Sequence, residues 1–236
     1  MRARAQANVV GAALLVGVTV VALGTLTAAI GGVVDGNAAR ADASRVGADF
    51  DAALEPVEAT GYREATVRFT EGDLYTAERE VRLLDDDGVV RRVETRALVF
   101  ETDARRVTFL AGAIVRGEPP GATMRTPPPI TESRTGDVLV VGVATLGNDV
   151  AVGGSGPVTL STRVRHDRES VGEDTYRVAV ETATPRPWRR YFEERGHSVS
   201  TRDFDDDGIV SVVARYPGRR TAYLVRHHLH LEVADD

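Results

Sequence analysis

Residues 5–34 contain no charged side chain, and nearly every position among them is apolar or small. Arg2 and Arg4 stand just before this run, and Asp35 is the first charge after it. About twenty helical residues cross a hydrocarbon core of roughly 30 Å, so the run predicts a transmembrane helix. Basic residues on the N-terminal flank predict a single-pass protein of the cell membrane, with its N-terminus cytoplasmic and its larger part extracellular. A cleaved secretory signal fits less well. Its apolar core spans only about 7–15 residues, half the length of this run, and nothing near Val33-Val34-Asp35-Gly36 makes a convincing cleavage site.

Small residues recur inside the run. Gly17, Gly24 and Gly31 follow a seven-residue step, and Gly24, Ala28 and Gly32 a four-residue step, which places them along one side of a helix. Such a stripe allows helices to approach closely in lipid, so self-association through this side is expected.

The first fourteen residues carry a resemblance. Arg4-Ala5 followed by Gln6-Ala7-Asn8-Val9-Val10-Gly11-Ala12-Ala13-Leu14 resembles the start of archaeal type IV pilin-like proteins. These have a short basic leader, a small residue and then an uncharged helix. Gln6 and Leu14 match the family's pattern, while Asn8 stands where Ser is usual and Val10 where Glu is usual. The Val/Ala/Gly/Thr texture from Gly11 to Ile30 is similar to that of haloarchaeal members. The resemblance implies that a prepilin peptidase cuts between Ala5 and Gln6, making Arg4, Ala5 and Gln6 the processing residues. It also implies that the helix enters a filament core built with other pilin-like subunits or envelope proteins.

Composition narrows the partners. All 29 basic residues are Arg, against 35 Asp plus Glu, for a net charge of −6. That balance suits a GC-rich halophile, keeps a surface solvated, and argues against nucleic acid. The chain has no Cys, which removes disulfides, thiolate metal sites and cysteine nucleophiles together. The residues beyond the run are numerous enough to build a core without them.

After the uncharged run the helix is expected to continue. Val46, Phe50, Ala53 and Val57 fall at helical spacing opposite Arg40, Asp42, Arg45 and Asp49, and Pro56 ends the pattern. From Gly61 the period becomes two. Strands are expected around Val67–Phe69, Tyr75–Leu83, Val89–Phe100, Arg106–Val115, Asp137–Thr145, Pro157–His166, Thr175–Thr182, Ile209–Tyr216 and Thr221–Val233. Gly117–Ile130, with its prolines, and Gly147–Gly156 read as connections. One short helix is expected after Pro185, with Trp188, Tyr191 and Phe192 on a single side facing the core.

The predicted fold class is therefore α+β: a long N-terminal transmembrane helix, then a mainly antiparallel, sandwich-like β domain with one short helix. The predicted divisions are a leader at 1–5, the transmembrane or filament-core helix at 6–34, a helix extension at 35–56 and an extracellular β-rich domain at 57–236.

Two clusters could carry chemistry. Asp203-Phe204-Asp205-Asp206-Asp207-Gly208 matches the start of a calcium loop, with Asp203, Asp205 and Asp207 as alternating carboxylate ligands. The twelfth position, where such a loop needs Glu, is Ala214, and Asp-Gly pairs here and at Asp87-Gly88 also form tight turns. On a strand, His228 and His230 share a face with Arg226, while His227 points the other way. No third metal donor accompanies them, and a structural or surface role is expected. No nucleophile elbow, metalloprotease helix or phosphate loop is present.

The expected function is a non-enzymatic surface protein without cofactors, a pilin-like subunit or pilus-associated protein. Its expected partners are membrane lipid, other pilin-like subunits or envelope proteins, and a prepilin peptidase. The alternative is a permanently anchored single-pass protein with an extracellular binding domain.

Overall fold

A computed structural model describes residues 17–27, 41, 43–54, 57–102, 105–133, 135 and 137–235. The chain divides into two compact units, Met1–Arg40 and Ala41–Asp236.

In the first unit, residues 17–27 are helical. Thr25 and Thr27 return their hydroxyls to the carbonyls of Ala22 and Leu23, both at 2.9 Å, so these polar groups are satisfied within the helix. Val18, Val20, Val21, Leu23 and Leu26 are exposed. At 1.5 Å per residue this stretch is about 16 Å long, half of a hydrocarbon core. Among the described residues no helix is long and apolar enough to cross a membrane. That finding overturns the expected transmembrane helix at 6–34 and the single-pass membrane localisation built on it. The expectation equated absence of charge with helix length. A run without charge reports hydropathy, and hydropathy registers neither helix propensity nor helix length. Of the proposed packing residues, Gly17 and Gly24 lie on this helix with open space where a Cβ would stand. Ala28, Gly31 and Gly32, and the processing residues Arg4, Ala5 and Gln6, lie outside the described residues.

The second unit is a β protein, and 62% of the described residues lie in strands. Helix α1 (43–54) opens it, and of the segment 35–56 expected as an extension of the N-terminal helix, the part from Ala41 onward falls in this unit. Ten strands follow: β1 (Gly61–Leu84), β2 (Val89–Thr102), β3 (Arg105–Leu110), β4 (Ala113–Arg116), β5 (Thr123–Thr126), β6 (Ile130–Glu132), β7 (Val138–Leu146), β8 (Ala151–Glu181), β9 (Ser198–Arg202) and β10 (Ser211–Asp235), with helix α2 (Pro185–Glu193) between β8 and β9. They form a single sheet in the order β5-β4-β3-β2-β1-β8-β10-β7-β6, with β9 also paired to β10. β8 and β10 are antiparallel, whereas β10 and β7 are parallel, Thr221 facing Val138 and Leu229 facing Leu146. The expected α+β class with its antiparallel sandwich thus gives way to a mostly β domain on one mixed sheet.

Three strands are far longer than the sequence pattern implied. β1, β8 and β10 each join two of the expected strands into one. In β10 the register slips between Arg215 and Arg219, so Tyr216-Pro217-Gly218 is an irregularity within a continuing strand rather than a turn. The Pro-rich connection also contains paired backbone: Thr123–Thr126 forms β5 against β4.

These long strands run through two cores. One half of each lines a core with α2, whose Trp188, Tyr191 and Phe192 are buried beside Val81, Val178, Val212 and Leu224. The other half lines a core with α1, where Ala43, Val46, Phe50, Ala53 and Leu54 meet Val67, Phe69, Leu160, Val164, Leu229 and Leu231. The sheet coils far enough for β2 and β7 to meet face to face, and the Thr95 hydroxyl donates to the Ala144 carbonyl at 3.0 Å.

Polar contacts fix α1 on its seat. Asp51 accepts from Arg125 and, at 2.9 Å, from the Thr126 hydroxyl, while Arg116 donates to Ser44 Oγ at 3.1 Å. Thr162 Oγ1 donates to the Ala53 carbonyl at 3.2 Å.

Candidate functional site

The acidic loop between β9 and β10 folds around its own backbone. Asp203 accepts from the amides of Asp205, Asp206 and Gly208, and Asp207 Oδ1 accepts from the Ile209 amide at 2.8 Å. Desolvation is the largest single influence on the Asp203 carboxyl and raises it, but the amides of Gly208, Asp205, Asp206 and Asp207 together outweigh it and hold the group below the usual carboxylate range. Asp206 and Gly208 have φ of 57° and 85°, the left-handed turn that Asp and Gly tolerate. Ala214, at the position where a calcium loop requires Glu, is fully buried in β10. Asp85 makes a similar turn, accepting from the amides of Asp87 and Gly88 at 2.9 and 3.0 Å.

Asp205 is the exception, because it turns inward to Arg82. Arg82 is completely buried on β1, in the sequence Val81-Arg82-Leu83-Leu84. Its guanidinium also meets Glu80 at 2.5 Å, Glu181 at 3.4 Å and Ser211 Oγ at 3.2 Å, with the Phe204 ring 4.8 Å from its carbon. Glu80, Glu181 and Asp205 bring carboxylate oxygens within 4.8 Å of one another, close enough to hold a metal ion. The cation among them is the guanidinium. Burial pushes the Glu181 carboxyl up, and the neighbouring Arg82 opposes that shift. The three carboxylates therefore form an ionic cluster around the buried Arg82, with Glu181 inside and Asp205 at the surface, that ties the acidic loop to the sheet. Among the described residues it is Glu80 and Glu181 that join Asp205 in this group, while Asp203 and Asp207 bond to backbone amides of their own loop.

The histidines divide as strand alternation requires. His227 is buried, 2.9 Å from His166 Nδ1 across the β8–β10 ladder. His228 and His230 are exposed on the opposite face. His228 Nε2 meets Asp167 at 2.6 Å and its Nδ1 meets Thr145 Oγ1 at 3.2 Å, while His230 lies 3.3 Å from Glu232.

That outer face contains a cleft of about 530 Å³ lined by Thr145, Gly147, Arg163, Arg165, His228, Leu229 and His230. Register explains the gathering. Arg163 stands opposite His230 and Arg165 opposite His228 in the β8–β10 ladder, and Thr145 stands opposite His228 in the β7–β10 ladder. Thr162, Val164, Leu229 and Leu231 alternate with them and pack under α1 on the other face. The sequence pattern singled out the histidines but missed Thr145, Arg163 and Arg165. The alternation Thr162-Arg163-Val164-Arg165 was a legible signal of two cations on one strand face, although its pairing with β10 was not.

These elements define a β protein with one coiled sheet, a helix seated against each of its two cores, and a basic cleft on an exposed face. The chain belongs to the DUF7289 family, a family of unknown function, which it matches over residues 4–232. No curated protein and no solved structure matches it.

Proposed function

We propose that the chain is a non-enzymatic, pilin-like surface subunit that assembles with its own kind through the N-terminal helical segment. The observation that carries this reading is α1. Its apolar stripe is packed against the sheet, so the first described element of the β domain is a helix that follows the uncharged run in sequence. The exposed Val18, Val20, Val21, Leu23 and Leu26, spread round the helix, support the reading as well, since exposed apolar side chains make a surface to be covered. Equivalent segments of neighbouring copies would cover it in a filament. The described carboxylates and imidazoles support a structural assignment, because Asp203, Asp205, Asp207 and His227 are each engaged by amides, Arg82 or His166.

The test is intact-mass and N-terminal analysis of the protein recovered from sheared surface material. A chain beginning at Gln6 in filaments is the expected result, and polar replacement of Val18, Val21 and Leu26 should abolish its recovery there. A chain that begins at Met1 and sediments as a monomer would overturn the proposal.

A further inference from the structure

The cleft of Arg163, Arg165, His228 and His230 brings two arginines side by side on one strand face, opposite two histidines. Arg82, Arg91, Arg96, Arg106, Arg125, Arg177, Arg190, Arg219, Arg220 and Arg226 each have a carboxylate within 4.0 Å. The Arg163 and Arg165 guanidiniums have no ion-pair or side-chain hydrogen-bond partner among the described residues, although acidic residues outnumber basic ones in the chain. Two unneutralised cations side by side repel each other, and an anion between them removes that repulsion.

The geometry points to a bound phosphate or sulfate ester, with Arg163 and Arg165 as its principal ligands. Residues two apart on a strand face stand about 7 Å apart, so two guanidinium forks can close on one tetrahedral group from either side. Arg is suited to this because its planar donor fork matches paired oxyanion oxygens. The opposite wall is built rather than fluid. The His228 ring is held at both nitrogens, by Asp167 and Thr145, and Leu229 between the two histidines is anchored in the α1 core. The nearby carboxylates are already engaged: Asp167 by Arg226 and His228, Glu232 by His230, and Glu64 by the Tyr62 hydroxyl at 2.7 Å. At about 530 Å³ the cleft is larger than one inorganic ion needs, leaving room for the group that carries the ester. Tyr62, 61% exposed and opposite Arg163 on β1, extends the site with an aromatic face of the kind that sugar rings pack on.

Calorimetric titration of the full chain at low ionic strength tests this directly, using inorganic phosphate, inorganic sulfate, glucose 6-phosphate and glucose 6-sulfate as probes. Binding by the wild type is expected, with each of Arg163→Gln and Arg165→Gln weakening it at least tenfold and Arg219→Gln leaving it unchanged. Both replaced side chains are exposed, so an unaltered circular dichroism spectrum is expected to certify the fold. Tighter binding of the sugar esters than of the free ions identifies the ester as the ligand, and equal binding identifies the ion alone. Absence of binding to all four probes, or binding undiminished in the Arg163→Gln/Arg165→Gln double variant, would overturn the assignment. Because the readout is binding by the isolated chain, failure here is distinguishable from failure of filament assembly.

Discussion

Arg82 is the side chain whose loss should cost most. Replacing it by Met leaves Glu181 buried and uncompensated and releases Asp205, and breaking a buried ion pair in this way costs about 3–5 kcal/mol. Denaturant unfolding of Arg82→Met should register that loss, and Glu181→Leu in the same chain should recover part of it. A second effect is pH-dependent. Burial, followed by the charges of His166 and His228, pulls the His227 imidazole down to about 4. Unfolding frees it to titrate near its ordinary value of about 6.5. Between those values the unfolded chain holds more protons than the folded one, so stability is full above about 6.5 and falls as pH falls toward about 4. Buried His197, lowered chiefly by desolvation, acts in the same direction. The unfolding midpoint followed across that range should therefore decline on acidification, and His227→Leu should flatten the decline. Gly142 is constrained by space alone. A Cβ there would stand 2.5 Å from the Pro129 carbonyl oxygen, whose acceptance of the Gly142 amide at 3.0 Å keeps the two backbones together. Gly142→Ala should lose about 1–3 kcal/mol in the same denaturant assay.

Among the elements, α1 separates adhesion to the sheet from everything else the chain does. Phe50 is fully buried beneath it, and truncation of a buried aromatic costs about 3–5 kcal/mol. Phe50→Ala should lower stability by that amount and speed amide exchange over 43–54 before it speeds exchange in β8. Both this helix and α2 were legible, because each shows one apolar stripe and a proline at a meaningful place: Pro56 after α1, Pro185 and Pro187 at the start of α2. The strands were legible in place but not in extent. Gly72, Gly172 and Pro217-Gly218 have the composition of turns, and local sequence does not say whether a chain reverses there or slips one position and continues. The site was half legible for the same reason. His228 and His230 could be placed on one face from alternation alone, while Arg163 and Arg165 join them only through a β8–β10 register set some sixty residues apart in the chain.

For the molecule as a whole, the strand order makes most contacts distant in sequence. β1 lies beside β8, and β10 lies between β8 and β7, so no neighbouring pair of segments completes a core. Chains dominated by such pairings must close long loops before they gain stability, and fold on millisecond-to-second or slower scales. Stopped-flow refolding should therefore be slow, with Val212→Ala and Leu229→Ala both affecting late rather than early signal changes. This scale was the least legible. An uncharged run and a series of alternating segments gave a transmembrane helix and a sandwich, because hydropathy reports what a residue avoids but neither how far a helix extends nor which strands become neighbours.

The interior position of β10 also dictates a timetable for biosynthesis. Residues 211–235 leave the ribosome after every strand they join, so until they emerge β8 and β7 both present unpaired edges. The nascent domain must remain unfinished until that strand has been made, a long window in which a holding chaperone or a translocation channel can engage it, and the sheet closes only once synthesis has passed β10.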